Sequence, residues 1–349
     1  MKITFRQVFS SRAFEKMKGT IFLSLRAFEK IKNKTINYEK VVFSFTNLRI
    51  GDCIGAQGII AKFRTVHPNT YIYLISDIMH NKIKLKWVYD DIVNEIVDVS
   101  DYKRYSEIKN DHSIKKLGFL EDFLPLPLGC QNCPGSTWGD DKCYGMIWFA
   151  APYFAKLGFL PNFKFPKNLT FNRTNFKVPN LNNFIKVVIH ILEDAPYQKQ
   201  RNHNVADFLT LCKLLVDNRE DILIIRIGLD RNNKLPNYKD RLLDLTDLNL
   251  TIEESAYIIS LADIYIGGDT GMTHLAGALG VKNIIAIYAA FPTDLPCTMI
   301  TGFGELSSFP LVEKERISKI IMQNNRFDPA EVYGLMEERL NKISIDKSN

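Results

Sequence analysis

The sequence predicts an α/β protein made of two doubly wound, Rossmann-like halves. Three observations carry this expectation. Apolar runs of strand length at 41–45, 71–75, 184–192, 222–227, 264–266 and 284–288 alternate with segments of helical period, as a parallel sheet requires. Each half holds a strand that breaks through glycines into a helix, at Gly51-Asp52-Cys53-Ile54-Gly55 and at Gly267-Gly268-Asp269-Thr270-Gly271. Between the halves, residues 161–183 turn polar and asparagine-rich around Pro161, Pro166 and Pro179, which reads as a linker.

Size and composition fit that plan. A chain of 349 residues is longer than most single domains. It is 46% apolar and 24% charged, which excludes disordered and fibrous classes. Net charge is +6, from 45 basic and 39 acidic residues: a bias that suits anionic small molecules but is too weak for a nucleic-acid binder. The longest apolar runs, such as 283–290, fall short of the roughly 20 residues of a membrane span. Six cysteines are too sparse for a disulfide scaffold, and no secretory signal is evident, so the expected setting is the cytoplasm. The N-x-T triplets at Asn168 and Asn172 are then chance occurrences.

In chain order, residues 1–36 form a basic leader with an internal echo, Arg12-Ala13-Phe14-Glu15-Lys16-Met17-Lys18 and Arg26-Ala27-Phe28-Glu29-Lys30-Ile31-Lys32. Both copies suit an amphipathic helix, packed on the protein's own outside or in peripheral contact with an inner membrane. The first Rossmann-like domain is expected over 37–175. It opens as strand 41–45, a helix ending near His67-Pro68, and strand 71–75, with further strands at 95–99 and 113–119. Residues 124–145 read as an irregular loop and 148–157 as a helix with an aromatic face. The second domain is expected over 183–310, with helices at 205–216 and 252–262 and another after the 267–271 turn. The segment 311–349 reads as helical, with Val332, Leu335, Met336 and Leu340 on one face, able to reach back onto the first domain.

The 261–280 stretch is where chemistry is expected. A strand that gives way to a helix through glycines presents unpaired N–H groups and a partial positive charge, which suits phosphate oxygens. Small residues at Gly271, Ala276, Gly277 and Ala278 would let a ligand or neighbouring backbone approach. The plain alternative is an ordinary turn with Asp269 or Thr270 as its N-cap. Asp52 lies at the matching turn of the first half, where parallel sheets bind ligands; read alone, it is more often an N-cap than a base. A carboxylate on one wall of a cleft and a phosphate cradle on the other is what transfer from a sugar nucleotide needs.

The pattern Ala262-Asp263-(x)3-Gly267-Gly268-Asp269-Thr270-Gly271-(x)2-His274-Leu275-Ala276-(x)2-Leu279-Gly280 resembles the signature of glycosyltransferase family 9, the ADP-heptose:lipopolysaccharide heptosyltransferases. Leu48-Arg49-Ile50-Gly51-Asp52, Asp244-Leu245-Thr246 and Phe291-Pro292-Thr293-Asp294 resemble the same family in the same order, so the likeness runs from residue 41 to about 305. The resemblance implies a GT-B fold, two Rossmann-like domains facing across a cleft with a C-terminal helix crossing back. It also implies an inverting, metal-independent transfer of heptose from a nucleotide-diphosphate donor, ADP-heptose, with no required cofactor. The acceptor would be a lipopolysaccharide core, a related glycan or a glycoprotein. By resemblance Asp52 is the general base. Asp269, with the backbone of Gly268, Thr270, Gly271, Met272 and Thr273 and with His274, binds the donor's diphosphate and sugar. The sequence contains no D-x-D triplet, the usual carboxylate pair of a metal–diphosphate clamp.

The chain departs from the family after the first strand of the second domain. The family's lysine falls on Arg201 and its tryptophan on His203, with Lys199 two residues earlier. Arg201 can offset leaving-group charge bidentately. Asp230 is a candidate contact for a ribose hydroxyl, or a solvated loop acid. Cys130 and Cys133, followed by Cys143, have metal-ligand spacing, and zinc would take a fourth ligand such as His112 or an aspartate; free thiols in a loop are the competing reading. Cys53, Cys212 and Cys297 read as core residues, and His190 and His274 as structural or ligand-orienting ones. Two rival functions remain on the same fold: a sugar-nucleotide 2-epimerase, and a non-catalytic scaffold that binds nucleotide sugar.

Overall fold

The structure is a computed structural model that describes residues 38–45, 50–76, 86–98, 100–116, 184–191, 202–228, 235–236, 238, 240–268, 270–289 and 314–348. The basic leader, the 124–145 loop, the aromatic helix at 148–157 and the linker lie outside the described residues. The described elements fall into two compact units.

The first unit is a four-stranded, all-parallel sheet in the order β3-β2-β1-β4. Its strands are β1 (Lys40–Phe45), β2 (Tyr71–Ser76), β3 (Glu95–Asp98) and the short β4 (Lys115–Lys116). Val41, Phe43, Ile72 and Leu74 are fully buried, as expected for parallel strands covered on both faces. Helix α1 (Ile50–Val66) joins β1 to β2 and buries Cys53, Ile54, Ile60 and Phe63. The Phe63 ring meets Phe43 edge-on at 5.4 Å between centroids, which fixes the helix on the strand it follows. A helix α2 (Tyr102–Asn110) was not anticipated. It is polar throughout and buries only Ile108, so it carries almost no periodic signal; Asp101 caps it by accepting from the Arg104 N–H at 3.1 Å.

The second unit is a six-stranded, all-parallel sheet in the order β10-β9-β8-β5-β6-β7. Its strands are β5 (Ile185–His190), β6 (Ile222–Ile227), β7 (Leu242–Asp244), β8 (Ile264–Gly268), β9 (Ile284–Ala289) and β10 (Ile317–Met322). Renumbered within the unit this is 6-5-4-1-2-3, the dinucleotide-binding order, with its reversal between β5 and β8. Helix α3 (Val205–Asn218) packs Phe208, Leu211, Cys212 and Leu215 on one face of the sheet. Helix α4 (Ile252–Ser260) starts with a reciprocal capping box between Thr251 and Glu254, and α5 (Gly271–Ala278) follows β8.

Two elements correct the expected layout. The sheet gains β10 beyond residue 310, inside a segment read as helical. This is an edge strand, half-exposed and interrupted by Ser318 and Lys319, so it lacks the continuous apolar run of its neighbours. Past it, α6 (Pro329–Ser348) has the expected apolar face, and Val332, Met336 and Leu340 are fully buried in the second unit's own core beside α3.

Candidate active site

In an open parallel sheet the ligand crevice forms at the carboxyl ends of the strands that flank the order reversal. In the second unit these ends are His190 on β5 and Gly267-Gly268 on β8, with His190 in register with Gly267. The residues that make this place are the last turn of β8, the first turn of α5 and the segment just before α3.

The two glycines are there for close packing. A Cβ on Gly267 would come within 2.6 Å of the Tyr265 hydroxyl, and one on Gly268 within 2.6 Å of the His203 ring. Each glycine thus has an aromatic ring laid over it. His203 is buried, its ring also meets Phe208 at a tilt with 5.2 Å between centroids, and its neighbour Asn204 caps α3 by accepting from the Ala206 N–H at 2.9 Å. The segment that leads into α3 is therefore tied by its histidine to the turn that leads into α5.

That turn is closed by backbone bonds from the Thr270 N–H to the Gly268 carbonyl, 2.9 Å, and from the Thr273 and His274 N–H groups to the Thr270 carbonyl, 3.1 and 3.3 Å. The Thr273 hydroxyl donates to the Gly268 carbonyl. Thr270 occupies the N-cap position, yet its side chain makes no capping bond. Among the described residues, the N–H groups of Gly271 and Met272 have no acceptor, and no acidic residue stands in the first helical turn. Thr270, Gly271 and Met272 are half-buried while Thr273 through Ala278 are buried, so only the amino end of α5 is open. The other end is satisfied: Gly280 takes φ 84° in a Schellman closure, with Val281 N–H to Ala276 O at 3.1 Å, and Arg316 donates to the Gly277 and Val281 carbonyls at 2.7 Å each. Ala276, Gly277 and Ala278, anticipated as room for a ligand or a neighbouring backbone, face protein.

Buried histidines bring no positive charge here. Burial, with Arg226 nearby, lowers the His190 pKa to about 4. Burial, with His190 as neighbour, lowers that of His203 to about 3. The buried Arg226 is bound by Asp244 at 3.1 Å. Asp244 also accepts from the Thr246 hydroxyl and N–H, at 2.7 and 3.1 Å, so Asp244-Leu245-Thr246 serves as a structural lock around Arg226. Asp263 is likewise structural: at the opposite end of the strands it accepts from the Lys186 N–H at 2.9 Å and pairs with its ammonium at 2.7 Å, which aligns β8 with β5.

Asp52 sits in the first turn of α1, after β1 at the order reversal of the first sheet, and its side chain lies outside what the structure describes. The buried Tyr89 donates its hydroxyl to the Cys53 carbonyl at 2.5 Å and holds that turn. Lys199, Arg201, Asp230, Asp269, Cys130, Cys133, Cys143 and Cys297 lie outside the described residues. His112 is exposed after α2, and the described residues contain no cluster of metal-ligand type. Cys53 and Cys212 are buried free thiols, as expected. Sequence reasoning passed over Tyr265 and Arg226 and took His203 for a departure only; a tyrosine two residues before a glycine on one strand was the available signal for the first.

Residues 246–296, which include the β8–α5 turn, match the model of glycosyltransferase family 9 (heptosyltransferase). A search of curated proteins gives no match. Among solved structures, the chain is similar to a family 9 glycosyl transferase from Veillonella parvula, at 12% identity over 89% of this chain and 99% of that one, TM-score 0.52. It is similar also to the E. coli heptosyltransferase WaaC with ADP, at 14% identity over 86% and 99%, TM-score 0.51. The two parallel α/β units are those of a GT-B fold. By the match over residues 246–296 and by its fold, the chain resembles the heptosyltransferases of glycosyltransferase family 9.

Proposed function

We propose that the protein transfers a heptose or similar sugar from a nucleotide-diphosphate donor, ADP-heptose in the first instance, to a hydroxyl of a lipopolysaccharide core or related glycan. The observation that carries this is the amino end of α5, where two N–H groups have no acceptor among the described residues, at the order reversal of a dinucleotide-type sheet. A diphosphate is the ligand such an end suits best. The similar E. coli protein is described with ADP.

In this reading Asp52 takes the proton of the acceptor hydroxyl as it attacks the anomeric carbon, and the configuration there inverts. Charge on the departing diphosphate is offset by the backbone of Gly268, Thr270, Gly271, Met272 and Thr273, by the α5 dipole, and by Arg201 and Lys199, without a metal. The His203 ring over Gly268 supports this assignment, because it ties residues just after Arg201 to the turn. Asp269 and His274 orient the donor's sugar end, and Asp230 takes a ribose hydroxyl. Transfer would occur at the cytoplasmic face of the inner membrane; among the described residues no helix is long and apolar enough to cross one.

Calorimetry across ADP-, GDP-, UDP- and CMP-sugars tests the donor. Tight binding of ADP-heptose alone is expected, and preference for another base would replace it. Incubation of the bound donor without acceptor separates the rivals: a free epimerised sugar would turn the reading to a 2-epimerase. Donor binding with no transfer to any glycan would turn it to a scaffold.

A further inference from the structure

We propose that Thr273, supported by Tyr265, is a positioning residue that fixes the diphosphate-binding turn without consuming the donors the ligand needs; this rests on the reading of the α5 amino end given above. An ordinary helix start is anchored by its N-cap side chain, which accepts one of the first N–H groups and so quenches it. Here the N-cap threonine does not do so. The anchoring is moved to Thr273, the third helical residue, whose hydroxyl donates backwards to the Gly268 carbonyl at the end of β8. The same carbonyl accepts from the Thr270 N–H, so the strand end and the helix start are pinned at one oxygen. Gly271 and Met272 N–H, which have no acceptor among the described residues, then remain for a ligand.

Tyr265 forms the floor of this device. It is fully buried, its ring lies over Gly267, and its hydroxyl is 3.4 Å from the Thr273 Oγ1. The single Thr273 proton goes to the carbonyl, which can only accept, so a Thr273 lone pair faces the Tyr265 hydroxyl. Burial raises the Tyr265 pKa, which keeps that hydroxyl protonated. Any substituent at Gly267 would displace the ring. The glycine, the tyrosine and the threonine are therefore one unit, and neither the Tyr265 nor the Thr273 side chain needs to touch the ligand.

The test is calorimetric affinity of the full chain for ADP and for adenosine in the wild type, Thr273→Val, Thr273→Ser and Tyr265→Phe, with thermal melts to confirm folding. Thr273→Val is expected to lose about tenfold in ADP affinity, the worth of one buried hydrogen bond, and less than about twofold for adenosine. Thr273→Ser, which keeps the hydroxyl, restores ADP binding to within about twofold, and Tyr265→Phe loses about threefold. Equal losses for ADP and adenosine would reduce the pair to general scaffolding and overturn the proposal. So would an unaffected Thr273→Val, or a Thr273→Ser as weak as the valine variant. If Thr273→Val does not fold, the ADP-to-adenosine ratio of Tyr265→Phe decides. A wild type that binds no nucleoside diphosphate removes both this inference and the reading beneath it, whereas a binding wild type with unaffected variants removes only this one.

Discussion

The two order reversals, one in each sheet, are each met by a strand that runs into a helix, and the two helix starts differ. After β1 the chain enters α1, 17 residues long, with Asp52 in its first turn. After β8 it enters α5, eight residues long, with no acid in its first turn and an N-cap side chain that caps nothing. A helix start favours negative charge. The first helix start carries an acidic residue in its sequence and the second carries none; in the proposed reading the second accepts an anion from outside. Their supports differ in the same sense. Tyr89 steadies the first turn from the Cys53 carbonyl, whereas the second is steadied by Thr273 acting on the strand before it. In the proposed function the first helix start holds the base and the second cradles the anion, a division that follows whether the first turn carries its own acid.

The strongest way to break this comparison is Asp52→Ala. Loss of the base is expected to lower turnover by about a thousandfold while calorimetric donor affinity stays within about twofold. Loss of donor binding as well would mean that the two helix starts do not divide the work.

Acidification should sharpen it, because the buried neutral histidines lie beneath the second turn. His190 and His203 have folded pKa values of about 4 and about 3, below the ordinary value near 6.5, so the unfolded chain binds the extra protons. Their contribution is complete above about pH 6.5 and is lost as pH falls toward 4 and then 3, with a slope of at most about 1.4 kcal/mol per pH unit for each. Urea midpoints of the second unit's transition between pH 7 and 4 should show this decline, and His203→Gln should make it shallower.

The smallest effect tests the ring-over-glycine packing that has no described equivalent in the first unit. Gly268→Ala forces a Cβ into the His203 ring and is expected to cost about 1–3 kcal/mol. Pairing it with His203→Ala should return part of that cost in a double-mutant cycle, and simple additivity would show that the contact carries no energy.

Much of this was legible from residue order. The strands at 41–45, 71–75, 222–227 and 284–288 were expected within one residue of where they lie, because fully buried parallel strands are continuous apolar runs. The β8–α5 turn was legible because a short apolar run that gives way through glycines to a helical period marks a strand-to-helix turn. Helix α2 was missed because it is largely solvent-facing, and β10 because Ser318 and Lys319 break its apolar run and it buries only Ile320 and Met322. The signature's own parts were not separable by eye. Asp263 aligns strand starts and Gly267-Gly268 make room for rings, and both facts depend on neighbours distant in sequence or on side-chain direction.

The sequence by itself determined the α/β class, the alternation of strands and helices, and the place of the glycine turn between β8 and α5, since all three are local patterns of apolar period and glycine. Only the tertiary structure decided that β5 lies beside β8, that His203 closes over Gly268, and that Arg226 is locked by Asp244. These join residues from about 20 to 80 positions apart, and such pairings follow from the packing of the whole sheet, which no short stretch of chain encodes.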